Sequence, residues 1–449
     1  MSTTDLSTRL DTALDLQRSG QLQAAAQGYR DLFNEPAVAA SARLRLALLD
    51  LEQGRLADAA AGLAQALAEQ PDHPDRPMAV RVLGLELNRH GYRESARTWL
   101  EEALIHFPDD EAVAQAWQRS RPPAWLAPEV YDPVQQRSLY RASPREGSNY
   151  VYTIDIVGTC NLRCPSCPVG NRPDSPRPKG FMPLEKFAAI IDKILDESPA
   201  DQPEIWLFNW GEPLLHPDLP AMVELLNERG LSSFLSSNLN INKGLDALIA
   251  AGPGMIKISL SGFSEASYAR THTRGKLDRV KENMHELRRL IDQHRAPTRI
   301  WVGQHVYRHN LKEVEAVAEL CRELDFDHRP IAAFYQPLEK LLDIAEGRMV
   351  DEPVLSLMLE HPAEYLPRIA AGRDLRYDCE LRANQTVINH DGQVALCCSV
   401  YEPDNQLGLD FLSTPRAAIE DRKYSHPTCA RCYRAGLAYL PSRLANSPP

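Results

Sequence analysis

The sequence predicts an α/β protein in three parts: a partial (β/α)6 barrel, an all-α repeat domain before it, and a small domain of a β-hairpin and a helix after it. Three observations carry this reading. Three stretches near the N-terminus repeat at intervals of 34 and 37 residues, β-rich apolar runs alternate with amphipathic helical stretches from residue 149 onward, and five of the nine cysteines gather after residue 375. A chain of 449 residues is long enough for two or three domains, each with its own core. Its 43% hydrophobic and 25% charged residues lie near the averages for soluble globular proteins, and no apolar run approaches the roughly 18 residues of a membrane span. A formal net charge of -11 argues against general binding to nucleic acid or to an anionic membrane. The N-terminal MSTTDLSTRLDTALDL lacks a basic segment followed by an apolar one, so a cytoplasmic protein without disulfides is expected.

The repeat begins at Gly20, Gly54 and Gly91. Five residues after each glycine stands an alanine (Ala25, Ala59, Ala96), nine after it a large residue (Tyr29, Leu63, Leu100), and Pro36, Pro71 and Pro108 close the units. Glycine permits the tight turn within a helix pair, alanine lets the helices approach, and proline ends the second helix. The pattern resembles the tetratricopeptide repeat, and residues 1–120 are expected to form such a domain. The resemblance implies a concave face suited to a peptide; a packing or dimerisation module is the alternative. Residues 121–147 are rich in proline and read as a linker.

The βα series occupies residues 148–340. YVYTIDIVG, PEIWLFNW, LSSFLSSN, MIKISLSG, RIWVGQHVY and HRPIAAFYQ read as strands, separated by helical stretches such as MPLEKFAAIIDKILDE and DRVKENMHELRRLIDQH. Such alternation implies a parallel sheet whose chemistry gathers at the C-terminal ends of the strands. A helical connection, 341–374, the small domain, 375–436, and a flexible tail, 437–449, complete the division.

Directly after the first strand comes GTCNLRCPSCPVGN, which places Cys160, Cys164 and Cys167 within eight residues. Three thiolates can hold three corners of a cubane iron–sulfur cluster and leave one iron open. Structural zinc wants a fourth ligand close by, and the nearest candidate, His216, is remote. A redox pair would need only Cys164 and Cys167.

The C-x3-C-x2-C spacing at this position resembles the signature of the radical S-adenosylmethionine (SAM) enzymes, and other motifs follow in that family's order. Gly211-Glu212-Pro213 is similar to its GEP motif, which implies contact with the amino group of bound SAM. Ser236, Ser237 and Asn238, then Ser259 and Ser261, match polar positions near the ribose and carboxylate. Gln304 on the fifth strand and Arg274 match two further contacts. The chain departs from the family at Ser166, where an aromatic is usual, and at Ser261, where many relatives have aspartate.

The second cysteine group lies in YDCELRANQTVINHDGQVALCCSVYEPDNQLG and HPTCARCYRAG. The first reads as a hairpin turning at His390-Asp391-Gly392, with Cys379 at its entrance and Cys397 at its exit. With Cys429 and Cys432 these make four thiolates, a set that fits zinc or an iron–sulfur cluster. The arrangement resembles the auxiliary-cluster domains called Twitch and SPASM, which implies one auxiliary [4Fe–4S] cluster besides the SAM-binding one. Successive strand residues face opposite ways, so Cys397 and Cys398 should not both face one cluster, and Cys398 is left as a packed residue or as a catalytic thiol near the substrate. Cys321 reads as a buried helical residue.

By this resemblance the protein is an oxidoreductase-type enzyme that cleaves SAM to a 5′-deoxyadenosyl radical and abstracts a substrate hydrogen, supplied with electrons by a flavodoxin or ferredoxin. The repeat domain favours a peptide or protein side chain as substrate; oxidation or epimerisation of a sugar or aminocyclitol is the alternative. A non-enzymatic zinc scaffold would leave the ordered barrel motifs without a role.

Overall fold

In the computed structural model the described residues are 3–90, 93–120, 131–132, 137–138, 149–350, 352–372 and 378–439. Gly91 of the third repeat, most of the 121–147 linker and residues 440–449 of the expected tail lie outside them. The chain divides into two compact units: residues 1–124 with 343–351, and residues 125–342 with 352–449.

The first unit is all helical: α1 (Thr3–Arg18), α2 (Leu22–Arg30), α3 (Ala39–Glu52), α4 (Leu56–Glu69), α5 (Arg76–Arg89), α6 (Arg93–His106) and α7 (Glu111–Ser120). Gly20 and Gly54 take φ near +80° and +75° in the turns between paired helices, a conformation that glycine adopts without strain. Ala25, Ala59 and Ala96 are buried where helices meet, as are Tyr29, Leu63 and Leu100. Small residues at the crossings and large ones beside them are what close helix packing requires. Residues 343–351, which the sequence reading assigned to the connection, belong to this unit, because Met349 packs on its main apolar cluster.

The second unit is built on a nine-stranded sheet. Its first six strands are β1 (Val151–Asp155), β2 (Glu204–Trp206), β3 (Ser233–Ser237), β4 (Met255–Ser259), β5 (Arg299–Val306) and β6 (Asp327–Ala332), each parallel to the next. Amphipathic crossovers cover the outer face; α8 (Leu184–Glu197) buries Phe187, Ile190, Ile191 and Ile194, and α9 (Leu277–His294) buries Val280, Met284, Leu287 and Ile291. Cys321 is buried on the helix Val314–Glu323.

The expected small domain does not stand apart from this sheet. Its hairpin, β7 (Gln385–Asn389) and β8 (Gln393–Ala395), continues it: β7 pairs with β1 in parallel over five residues, and β8 and β9 (Gln406–Asp410) follow antiparallel. The full order is β9-β8-β7-β1-β2-β3-β4-β5-β6. The exposed edge of β1 is the reason, since its unpaired backbone groups are satisfied by β7. The hairpin turns where expected, with Gly392 at φ +92°. Helices α10 (Arg416–Tyr424) and α11 (Pro427–Arg434) complete the unit.

Leu63→Ala should lower the unfolding free energy of the helical unit by about 2–5 kcal/mol in urea denaturation, the usual cost of a buried leucine, whereas Ile105→Ala at an exposed position should change it by about 0.5 kcal/mol or less.

Candidate functional site

β1 ends at Asp155, and the chain then forms the loop that carries Cys160, Cys164 and Cys167. Two close backbone contacts fix that loop. A β-carbon on Gly170, in the turn after the third cysteine, would lie 2.1 Å from the Cys164 carbonyl oxygen. A β-carbon on Gly211 would lie 1.7 Å from the Val157 carbonyl oxygen. Close packing of two loops is thus by itself a reason for glycine at 211, on the wall of a cavity. Beside it the Glu212 amide donates to the Thr159 carbonyl at 2.9 Å.

Asp155 joins these loops from below. Buried at the strand end, its carboxylate accepts the backbone N–H groups of Trp210 at 3.3 Å and Gly211 at 3.1 Å, and Arg177 lies 3.4 Å away. Burial raises its pKa, while Arg177 and the two amides act the other way. Sequence reading passed over Asp155 as a strand residue; the only signal was an acidic residue in an otherwise apolar run.

Glu212 is buried and points inward. One oxygen accepts from the Ser237 hydroxyl at 2.8 Å and the Leu214 amide at 3.1 Å, the other from the Asn238 amide at 2.9 Å. Burial raises its pKa against those three donors. Asn238 also turns its side-chain amide toward Cys160 Sγ at 3.7 Å. The three cysteines, Gly211, Glu212, Ser236, Ser237, Asn238, Ser259 and Ser261 all line one cavity of about 190 Å³ at the C-terminal ends of the strands.

Three of the expected contacts are not among its lining residues. Pro213 is buried at the start of a short 3-10 helix, its ring part of the packing. Arg274 is exposed, with φ +75°. Gln304 lies on the outer face of β5, where its Oε1 bonds His328 Nε2 at 2.8 Å. Alternation along the strand explains the last case: the neighbouring His305 faces the cavity instead. His305, His272 and Tyr307 are lining residues that the sequence reading missed. Burial lowers the pKa of His305 to about 3 and of His272 to about 4, so both are neutral rings, and Tyr307 donates to the Ser166 hydroxyl at 3.0 Å. An aromatic thus stands beside residue 166, supplied from just beyond the end of β5.

Burial also pushes the thiols up, Cys160 to about 12 and Cys167 to about 11. Such thiols become ligands only when a cation replaces the proton.

A second cavity, of about 300 Å³, is lined by Cys379, Cys397, Cys398, Cys429 and Cys432. Cys429 and Cys432, three residues apart on α11, share one face of the helix. The expectation that Cys397 and Cys398 must face apart rested on strand alternation, and it does not apply: β8 ends at Ala395, and both cysteines lie in the turn beyond. They still differ in surroundings. Burial raises the pKa of Cys397, and the charges of Cys398, Cys429 and Cys379 add to it, whereas Cys398 bonds through its amide to Gln385 Oε1 at 3.4 Å. Asn209, which lines the first cavity, meets the Cys398 carbonyl at 3.1 Å through its side-chain amide nitrogen.

Beside the five thiols lies a buried cation. Arg382 bonds Asp378 at 2.6 Å and 3.1 Å and stacks on Tyr424 and Tyr433, with its guanidinium 4.2 Å and 4.5 Å from their ring centres. Both tyrosine hydroxyls also donate to Asp378. The guanidinium lowers the pKa of Cys379, Cys429 and Cys432 against the larger effect of burial.

Residues 154–321 match the family described as the Radical SAM superfamily. Over 121 residues the chain is 31% identical to 7,8-dihydro-6-hydroxymethylpterin dimethyltransferase of Methanocaldococcus jannaschii, a match covering 26% of this chain and 23% of that protein. Over 137 residues it is 23% identical to GTP 3',8-cyclase of Chlorobaculum tepidum, covering 30% and 39%. The chain thus spans well under half the length of either relative. Among solved structures, Streptococcus suis SuiB bound to precursor peptide SuiA is similar at 11% identity and TM-score 0.45, covering 75% of this chain and 81% of that one. Members of the superfamily are enzymes that use a [4Fe–4S] cluster with SAM.

Gly211→Ala should cost about 1–3 kcal/mol or more in urea denaturation, because its β-carbon would have to displace the Val157 carbonyl, and the purified variant should take up less iron than the wild type. Arg382→Gln should cost about 3–5 kcal/mol by leaving Asp378 buried without its cation.

Proposed function

We propose that this chain is a radical SAM enzyme acting on a peptide or protein side chain, with Cys160, Cys164 and Cys167 holding the SAM-binding [4Fe–4S] cluster. The observation that carries the proposal is the sharing of one cavity by three thiols, a buried carboxylate and the polar ends of three parallel strands. The donor set fits such a cluster: three sulfurs and no fourth protein ligand from the same loop. When bound, the cluster and SAM supply a 5′-deoxyadenosyl radical that abstracts a hydrogen atom from the substrate.

The residues around it bind and orient. Glu212, held by the Ser237 hydroxyl and two backbone amides, keeps about one lone-pair site, on Oε2, for an ammonium group, and its burial makes pairing with a cation the favourable state. Ser236, Ser259 and Ser261 offer hydroxyls to a ribose or carboxylate. Leu162, Tyr307 and the neutral imidazoles of His272 and His305 keep the cavity wall poor in water and free of acidic protons.

The second cavity supports an auxiliary [4Fe–4S] cluster on Cys379, Cys397, Cys429 and Cys432, with the Arg382 cation favouring the thiolate forms of Cys379, Cys429 and Cys432. An acceptor there suits a net oxidation. Cys398 is then the unligated fifth thiol, and this observation favours the second reading, oxidation or epimerisation of a small metabolite with Cys398 as hydrogen-atom donor. The repeat unit supports the peptide reading.

Anaerobic reconstitution should give about eight irons per chain and, with reductant and SAM, 5′-deoxyadenosine. One or two zinc ions per chain with no SAM cleavage would overturn the proposal. Cys397→Ala should drop the iron content to about four, and Cys398→Ala should leave it near eight; the opposite pattern would exchange their roles.

A further inference from the structure

Beside the cysteine cavity the inner face of the half-barrel carries residues that no motif accounts for. On β4 the residue two before Ser259 is Lys257, and alternation turns both toward the lumen. Lys257 sits in register with Ser236 on β3, which lines the cysteine cavity, and with Trp301 on β5. Its ammonium lies 5.2 Å from the centre of the Trp301 ring. Arg329, an exposed residue of β6 in register with Gly303, places its guanidinium 4.8 Å from the same ring. Room for the lysine is provided by Gly303, whose β-carbon would come within 2.7 Å of Lys257 Cε.

Two cations therefore flank one indole, and among the described residues neither has a hydrogen bond or an ion pair with a carboxylate. The nearest acidic residue on β6, Asp327, is joined to Arg299 at 3.4 Å. The Trp301 Nε1–H is buried without an acceptor. Burial lowers the Lys257 pKa to about 8, the mark of a charge kept in the lumen without an anion. The adjoining wall is aromatic: Trp206 stacks on Phe208 at 5.6 Å, and Phe234 meets both edge-on. Two unpaired cations and a free N–H beside an apolar wall are half of a recognition site whose other half is an anion.

We propose that Lys257, Arg329 and Trp301 form a subsite for an anionic group, a carboxylate or phosphate, of the molecule that enters the lumen next to the cysteine cavity. That this molecule is the substrate rests on the radical SAM reading; the subsite itself does not. The two flanking cations receive the anion, the indole N–H donates to it, and the Trp206–Phe208–Phe234 wall takes the uncharged remainder.

Calorimetric titration of the reconstituted protein with benzoate, phenyl phosphate and the neutral benzamide tests this. At least one anion should bind about tenfold or more tighter than benzamide, the scale of one charge-assisted contact, and the preferred anion tells carboxylate from phosphate. Lys257→Met should abolish the preference and Lys257→Arg should restore it. Arg329→Gln, at an exposed position that folding tolerates, should weaken anion binding several-fold by itself. Equal binding of benzamide and both anions by the wild type, or a preference that survives both Lys257→Met and Arg329→Gln, would overturn the subsite. Formation of 5′-deoxyadenosine by the wild type, measured in parallel, separates the two readings: cleavage without anion preference removes the subsite alone, and anion preference without cleavage keeps the subsite and removes the radical chemistry.

Discussion

At the end of β1 a single buried carboxylate has to be satisfied, and much of the site is arranged around that need. Asp155 accepts the amides of Trp210 and Gly211 and pairs with Arg177, and Arg177 donates in turn to Asn389 at 2.6 Å, the last residue of β7. Each partner lies on a different segment: the loop after β2, the segment after the cysteine loop, and the hairpin. A buried charge without such partners costs several kcal/mol, so the three segments are bound to one point. The Trp210 indole extends the same anchorage by donating to the Val400 carbonyl at 3.0 Å, in the turn just beyond Cys397 and Cys398.

The parallel pairing of β7 with β1 gives this anchorage its consequence. Both cysteine sets hang from adjacent strands of one sheet, the first three thiols beyond the end of β1 and Cys397 beyond the hairpin that begins with β7. Asn209 spans the interval, lining one cavity and meeting the Cys398 carbonyl beside the other. Two sets of thiols held on one sheet keep a fixed separation. A hairpin on an independent domain would leave that separation to interdomain motion.

Much of this was legible in the sequence because it is written locally. The βα alternation, the cysteine loop, Glu212 and the serines at the strand ends all follow from short-range pattern, and the structure gathers those side chains around one cavity. What was not legible depends on partners remote in sequence. The joining of β7 to β1 spans more than two hundred residues and leaves no local mark. That Gly211 must also stay small for a backbone shows only in the position of Val157, more than fifty residues away. For Cys397 and Cys398 the alternation rule was sound, but β8 stops before it could apply.

Gln304 and Lys257 show the same limit in sharper form. A strand's inward set is fixed by phase, and in an apolar run such as RIWVGQHVY both phases hold a polar residue, so the sequence alone does not choose between Gln304 and His305. The sheet chooses through its neighbours: Ser259 pairs with Gly303, so residues 301, 303 and 305 share the lumen side, while Ile300, Val302 and Val306 pack outward. Once that phase is set, Ser259 cannot reach the cysteine cavity without Lys257 being carried into the lumen two residues below. Ile256 and Ile258 occupy the alternate positions and are buried on the helix-covered face. A slip of one residue would send the lysine into the helices and both isoleucines into the lumen, at the cost of a buried charge and of exposed apolar surface. The phase that makes the polar cavity therefore also fixes a cation beside it, and a leucine or methionine at 257 would keep the fold with less desolvation.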